Sequence, residues 1–169
     1  MAGAKTQFAA RFNRGWLADS IRTTIATTVS LYSARLVGLP EAYWAAITTL
    51  VVMQSTLGAA LMPSWQRFAG TALGAAAGAL AATYFGASTI VFTLGVFVLG
   101  LLCAVLRLDR TAYRFAGTTL AIVVLASHEK AGWVSALHRF VEVSIGIAVG
   151  LLIIPVWPER ETTATAKPR

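Results

Sequence analysis

The chain has 169 residues, of which 57% are hydrophobic and only 12% are charged, and its mean hydropathy is +0.69. This composition excludes an ordinary soluble domain, whose surface must face water, and predicts a polytopic membrane protein. The net charge of +7 does not indicate nucleic acid, because no exposed basic run carries interleaved aromatic residues. The single cysteine, Cys103, excludes an internal disulfide and a cysteine-based metal cluster.

Six apolar segments approach the length of about 20 residues with which a helix crosses a hydrocarbon core of about 30 Å. Short connections rich in glycine, proline and charged residues separate them, and such residues end helices. We interpret the first segment as an uncleaved span, since no small-residue cleavage site follows it. The sequence therefore predicts an all-α polytopic membrane protein with six transmembrane helices, at 16–37, 43–61, 65–85, 89–106, 112–127 and 133–156.

The distribution of lysine and arginine predicts the orientation of these helices. With the N-terminus in the cytoplasm, the inner side receives ten of the fourteen basic residues and the outer side only Lys130 and Arg139. Positive charge is retained on the cytoplasmic side of membrane proteins, so both termini are expected there. The predicted organisation is a cytoplasmic segment at 1–15, a transmembrane domain at 16–157 and a cytoplasmic tail at 158–169.

An internal repeat is visible in two registers. The pentapeptide Arg-Phe-Ala-Gly-Thr at 67–71 returns at 114–118, which makes the protein three helical hairpins, each rising behind an arginine. A second register places Arg139-Phe140 72 residues after Arg67-Phe68 and implies an inverted repeat, an arrangement common in transporters. The identical pentapeptide favours the hairpins.

Glycines spaced four residues apart form ridges on two predicted helices. In lipid such ridges let two helix backbones approach closely. We expect them to pack helices within one subunit, with a subunit interface as the alternative. They are Gly70, Gly74 and Gly78 on the third helix and Gly146 and Gly150 on the sixth.

The first predicted helix carries a polar stripe on one face, which includes Asp19, Arg22, Thr23, Thr27 and Ser30. A stripe of this length predicts a position in the bundle interior or along a watery path. Asp19 and Arg22 are three residues apart and are expected to pair, which lowers the cost of burying either charge. The plainer interpretation places both in the lipid headgroups.

Three arginines, Arg22, Arg67 and Arg114, are expected at similar depth near the cytoplasmic side. If they converge, their guanidinium groups would hold a carboxylate in a bidentate manner. The alternative is that they are three independent topology anchors. Gln54, deep in the second predicted helix, is expected to contact another helix or the solute.

Three residues are candidates for coupling transport to protons: Asp19, His138 and Glu142. His138 and Glu142 are one helical turn apart near the start of the sixth helix. A salt-bridged cluster of His138, Arg139 and Glu142 at the interface is the plainer account. The sequence shows no nucleotide-binding loop, no HExxH and no metal-ligand spacing. We therefore expect neither an enzyme nor a bound metal or cofactor.

Two segments carry a family resemblance. Pro-x-x-Tyr-Trp-Ala-Ala at 40–46 and Gln-Arg-x-x-Gly-Thr-x-x-Gly at 66–74 resemble the membrane half of the fusaric acid resistance and aromatic acid exporter family. The resemblance covers about 16–157, and the same superfamily includes the plant aluminium-activated malate transporters. It implies a six-helix subunit of the bacterial inner membrane that moves organic anions.

The resemblance implies efflux of aromatic or other organic carboxylates, with a passive anion channel and a non-transporting scaffold subunit as alternatives. Full-length exporters of that family have two six-helix halves and large cytoplasmic domains, whereas this chain has one half. It is therefore expected to form a homodimer or to pair with another membrane chain. The lipid bilayer and the organic anion are the other expected partners.

Overall fold

The computed structural model describes residues 14–53, 56–126 and 132–156. This part of the chain forms helices and contains no strand, in agreement with the predicted all-α class. The fifth helix continues as a π-helix at Ile122–Ala126. The six helices are α1 at Arg14–Leu36, α2 at Tyr43–Val52, α3 at Leu57–Tyr84, α4 at Thr89–Val105, α5 at Arg110–Ala121 and α6 at Gly132–Val156.

The boundary between α2 and α3 differs most from the sequence-based expectation. The sequence placed a connection at 62–64, but α2 ends at Val52 and α3 already begins at Leu57. The Thr56 hydroxyl caps α3 by accepting a hydrogen bond from the Ala59 N–H at 3.2 Å. Pro63 therefore lies inside the helix, and α3 is 28 residues long. Arg67 is consequently almost three turns inside α3 instead of at its cytoplasmic mouth.

The two central helices are α3 and α6, and they run antiparallel. Ala82 near the end of α3 contacts Gly132 at the start of α6. Farther along, Ala75 shares a buried cluster with Ala136, and the rings of Phe68 and Phe140 lie 5.1 Å apart. On one side α2 packs against α6, and α1 packs against α2. On the other side α5 packs against α3, and α4 packs against α5.

The glycine ridges make two equivalent helix contacts. On α3, a Cβ at Gly74 would overlap the Ala116 carbonyl oxygen, so α3 and α5 touch backbone to backbone. On α6, a Cβ at Gly146 would overlap the Ala45 carbonyl oxygen of α2 in the same way. Both pairs of helices run parallel, and both ridges pack helices within one chain, as expected. The other ridge contacts are Gly70 with Ala112, Gly78 with Val123 and Gly150 with Val52.

These contacts follow the inverted-repeat register. Gly74 and Gly78 of α3 correspond to Gly146 and Gly150 of α6, 72 residues later. The α3 glycines contact Ala116 and Val123 of α5, and the α6 glycines contact Ala45 and Val52 of α2, which lie 71 residues before those two α5 residues. The α3–α5 contact thus corresponds to the α6–α2 contact, and helices α4–α6 repeat helices α1–α3 in the opposite orientation. The packing supports this register over the three hairpins that the repeated pentapeptide favoured. Phe68 and Phe140 are equivalent residues in contact, so the pseudo-twofold axis passes between them.

The outward face of the bundle is apolar, as contact with lipid requires. On α4, for example, Ile90, Phe97 and Val105 are exposed. Within the described ranges, Gly132–Val156 is the helix that is both long and apolar enough to cross a membrane by itself, with a mean hydropathy of 2.0. Two other apolar helices, Tyr43–Val52 and Thr89–Val105, have 10 and 17 residues.

Candidate functional site

Arg67 is held inside the bundle by α2 and α5. Its side chain is only 7% exposed. The Nε–H donates to the Thr48 hydroxyl of α2 at 3.1 Å, and the guanidinium lies 4.7 Å from the centre of the Phe115 ring of α5. A guanidinium over an aromatic face is stabilised by the quadrupole of the ring, more strongly where water is excluded. The charge of Arg67 is therefore positioned by side chains of two neighbouring helices.

Arg139 occupies the equivalent place on α6. It is 3% exposed, and its guanidinium lies 3.8 Å from the centre of the Trp44 ring of α2. Its Nη1 donates to Oε2 of Glu142 at 3.4 Å, and Glu142 is fully buried. Trp44 precedes Phe115 by 71 residues, so each arginine lies over the aromatic ring of the corresponding helix in the opposite half.

The two guanidinium groups belong to one site. Phe68 and Phe140, which follow the two arginines in the chain, touch each other at the pseudo-twofold axis. Arg67 bonds to Thr48 and Arg139 covers Trp44, and these two α2 residues are one helical turn apart on the same face. The positive charge of Arg139 acts on Arg67 directly. The crossing of α3 and α6 therefore gathers two buried cations.

The site is not symmetric in its negative charge. Glu142 corresponds to Gly70, so α6 supplies a carboxylate where α3 has none. Arg139 has an ion pair with Glu142, and Glu41 before α2 also acts on it electrostatically. No carboxylate of the described residues lies within ion-pair distance of Arg67. The Arg67 side of the site therefore carries the less compensated positive charge.

Of the three arginines expected to converge, the structure places each in a different environment. Arg22 is 2% exposed and pairs with Asp19 at 2.8 Å, which confirms the expected pair. Arg67 is buried at the α3–α6 crossing. Arg114 is exposed on the surface of α5. The chain thus buries two of these arginines and leaves the third at its surface, and Gln54 lies outside the described residues.

The polar stripe of α1 faces the bundle interior. Ser30 is fully buried, and Thr23 and Thr27 are half-buried. The Thr27 hydroxyl donates to the Thr23 carbonyl oxygen at 2.7 Å, which satisfies it within the helix. Because α1 packs on α2 and α6, this stripe lies against the α2–α6 pair, on the side of the bundle where Arg139 is buried.

Glu142 pairs with Arg139 one turn earlier, as the salt-bridged cluster predicts, and the described residues show no bond from Glu142 to His138. His138 is half-buried on the neighbouring face of α6. Arg139 had no predicted part in binding the substrate. The signal for its role was in the sequence, because the inverted-repeat register aligns it with Arg67.

The chain matches proteins of one membrane family. A family model described as fusaric acid resistance protein-like matches residues 26–153. The chain is 29% identical over 143 residues to the inner membrane protein YeeA of Escherichia coli K12, which covers 82% of this chain and 40% of YeeA. It is 33% identical over 157 residues to the uncharacterized transporter YdhK of the same strain, which covers 87% of this chain and 23% of YdhK.

The chain therefore spans less than half the length of either relative. No solved structure matches it significantly. The family match confirms the resemblance carried by the motifs at 40–46 and 66–74. With more than half of its length matched by the family model, the chain belongs to the fusaric acid resistance protein-like family of inner-membrane proteins.

Proposed function

We propose that the chain is a six-span membrane domain that exports aromatic or other organic carboxylates across the inner membrane. Both termini lie in the cytoplasm, and the substrate carboxylate binds at the α3–α6 crossing. Arg67 is its principal partner, and the polar face of α1 with Thr23, Thr27 and Ser30 borders the route. Transport agrees with the name of the relative YdhK, an uncharacterized transporter.

The observation that carries this proposal is a buried arginine that lacks an ion-pair carboxylate in the described part of the chain. Arg67 is 7% exposed and has the Thr48 hydroxyl as its hydrogen-bond acceptor. Arginine presents five N–H donors, so one hydroxyl leaves most of them available. A buried charge is costly unless it is paired, and ionisable groups within membrane bundles mark substrate routes. An organic carboxylate would supply the missing counter-charge in bidentate geometry.

The surroundings of Arg67 suit an aromatic substrate. The rings of Phe115 and Trp44 lie against the two guanidinium groups, and Phe68 and Phe140 contact each other where α3 and α6 cross. Aromatic rings pack against one another in tilted or offset arrangements that add about 0.5–1.5 kcal/mol to burial. We therefore place the carboxylate on Arg67 and the ring of the substrate among these aromatic side chains.

The inverted repeat supports transport over a purely structural role. In transporters built from such repeats, the substrate binds near the membrane midplane, where the two halves meet. The two arginines lie where α1–α3 meets α4–α6, on either side of the pseudo-twofold axis. The same geometry would let the halves rock about the Phe68–Phe140 contact and open the site to each side in turn.

We propose further that two chains assemble, as a homodimer or with another membrane chain. The relatives are more than twice as long as the matched region, so the working unit of the family is larger than one copy of this domain. The exposed Arg114 and the apolar faces of α1 and α4 are available to such a partner.

Flux of labelled 4-hydroxybenzoate in proteoliposomes tests the site. Arg67→Gln removes the charge and is expected to reduce flux by about 10- to 100-fold, because a hydrogen bond to a charged group contributes about 1.5–3 kcal/mol. Arg110→Gln, which removes an exposed arginine from the start of α5, serves as the matched control and retains flux. Equal flux in wild type and Arg67→Gln contradicts the assignment.

The alternatives predict different results in the same vesicles. Conductance that follows voltage alone, with no effect of a pH gradient, indicates a passive anion channel. Failure of every carboxylate to move, together with co-purification of a second membrane protein, indicates a scaffold subunit.

A further inference from the structure

We propose that Glu142 is an internal counter-ion that the substrate carboxylate displaces from Arg139, and that Glu142 takes up a proton as it is released. Each bound anion is then accompanied by one proton. This inference rests on the proposed function and adds the residue that links anion binding to protons. It replaces the expected His138–Glu142 relay with an exchange between two carboxylates at one arginine.

The geometry of the pair favours displacement. The Arg139 Nη1 to Glu142 Oε2 distance is 3.4 Å, longer than the 2.7–2.9 Å typical of hydrogen bonds between charged groups. The other carboxylate oxygen, Oε1, and the Arg139 Nε are both buried without a hydrogen-bond partner. The pair is therefore only partly satisfied, and a substrate carboxylate held by Arg67 keeps lone pairs with which it would also accept hydrogen bonds from the Arg139 guanidinium.

The fold does not require a carboxylate at this position. The equivalent residue in the other half is Gly70, and the α3–α5 contact forms there without any acid. A buried ion pair is weak evidence for stability, since its desolvation cost rivals its attraction. Glu142 is fully buried at the meeting point of the two halves. A functional role explains its presence better than a structural one.

The charged groups around Glu142 explain why a proton follows the anion. Arg139 lies beside it on α6, and Arg67 of α3 acts electrostatically on Arg139. Glu41 approaches from the segment before α2, and its carboxylate already accepts hydrogen bonds from the Tyr43 hydroxyl at 3.2 Å and the Trp44 Nε1 at 3.0 Å.

Among the described residues, the remaining elements packed against α6 bring no further cation to this point. The π-helical end of α5 presents Val123, and α1 contributes Ala34 beside Ile145. The buried charge of α1, Arg22, lies about three turns earlier and is paired with Asp19.

The balance of charges at the site explains why Glu142 takes up a proton when the anion binds. Before binding, the positive charges of Arg67 and Arg139 face the carboxylates of Glu142 and Glu41. After binding, the substrate carboxylate lies on Arg67 and also neutralises Arg139, so the two cations face three carboxylates. A buried carboxylate in excess of the cations is costly, so Glu142 binds a proton and becomes neutral. Anion binding therefore tightens as the pH falls, by up to about tenfold per pH unit for one coupled proton.

Calorimetry on the full chain in nanodiscs measures this coupling directly. Titration with 4-hydroxybenzoate in buffers of different ionisation enthalpy gives the number of protons taken up per anion. Wild type is expected to take up about one proton over the pH range in which Kd changes. In Glu142→Gln the anion still binds, proton uptake falls to near zero, and Kd becomes independent of pH.

The matched control is Asp109→Asn, which neutralises an exposed carboxylate bonded to Gln66 at 2.6 Å and keeps the wild-type uptake. If Glu142→Gln does not fold because Arg139 is left unpaired, Arg139→Gln with Glu142→Gln removes both charges and is expected to lose proton uptake. Glu142→Asp, which retains the carboxylate, keeps it.

The outcomes separate this inference from the proposed function. Anion binding by wild type without proton uptake overturns the role of Glu142 and leaves the anion site intact. Unchanged proton uptake in Glu142→Gln does the same. If 4-hydroxybenzoate and other carboxylates do not bind to wild type at all, the proposed function fails and the inference fails with it.

Discussion

Arg67 and Arg114 begin identical pentapeptides but lie in different environments. The pentapeptide Arg-Phe-Ala-Gly-Thr occurs twice, yet Arg67 is buried and Arg114 is exposed. The difference arises because α3 is surrounded by α5 and α6, while α5 turns its Ala112 and Ala116 face to α3 and its Arg114 face outward. Sequence identity alone therefore could not assign the buried cation.

The hydroxyl of Thr48 is expected to hold Arg67 in place. Thr48→Val keeps the shape of the side chain but leaves the buried Arg67 Nε without its acceptor, which costs about 1–3 kcal/mol. We expect a lower melting temperature and weaker binding of 4-hydroxybenzoate, both measured by thermal shift with and without the anion. Thr118→Val serves as the control, because that exposed hydroxyl bonds only the Arg114 carbonyl oxygen within its own helix. An unchanged thermal shift in Thr48→Val would show that the bond does not position Arg67.

The helices pack through their glycine ridges. Two of these contacts, Gly74 with Ala116 and Gly146 with Ala45, are so close that the structure has no room for a Cβ. Spacing at four residues predicted the ridges, since that spacing keeps them on one face of a helix. It did not predict the partners, because α5 and α2 are chosen by the tertiary arrangement.

Glycine-to-alanine substitutions separate close packing from helix propensity. Gly74→Ala is expected to destabilise the bundle by about 1–3 kcal/mol, because the new methyl group meets the Ala116 backbone and not a flexible side chain. Gly117→Ala meets nothing within 4 Å and gains about 0.5–1 kcal/mol from helix propensity. Melting temperatures of the two variants in detergent should therefore move in opposite directions. A higher melting temperature for Gly74→Ala would contradict the close α3–α5 contact.

The whole molecule is organised by an inverted repeat. Helices α3 and α6 cross at Phe68 and Phe140. Each has a buried arginine and a glycine ridge at corresponding positions, and each arginine lies over an aromatic ring of the helix packed beside it. If each of the six helices crosses the membrane, the chain returns to the side on which it began. The bias of basic residues then predicts that side to be the cytoplasm.

Labelling of single cysteines in cells checks this orientation. In a Cys103→Ser background, Ala87→Cys lies in the exposed connection between α3 and α4, and Thr111→Cys lies near the exposed start of α5. A membrane-impermeant thiol reagent is expected to label position 87 from outside and position 111 only after the membrane is opened. The reverse pattern would invert the topology, and labelling of both from outside would exclude six spans.

The sequence by itself determined the properties that depend on composition and on neighbours along the chain. These are the membrane environment, the helical class, the places of most helix ends and the Asp19–Arg22 pair, because hydropathy, caps and three-residue spacing act locally. The tertiary structure alone decided which distant residues meet. Arg67 and Arg139 are 72 residues apart and come together only because α3 and α6 cross antiparallel. The face that each helix buries depends on the shape of its neighbours, and no local pattern contains that information.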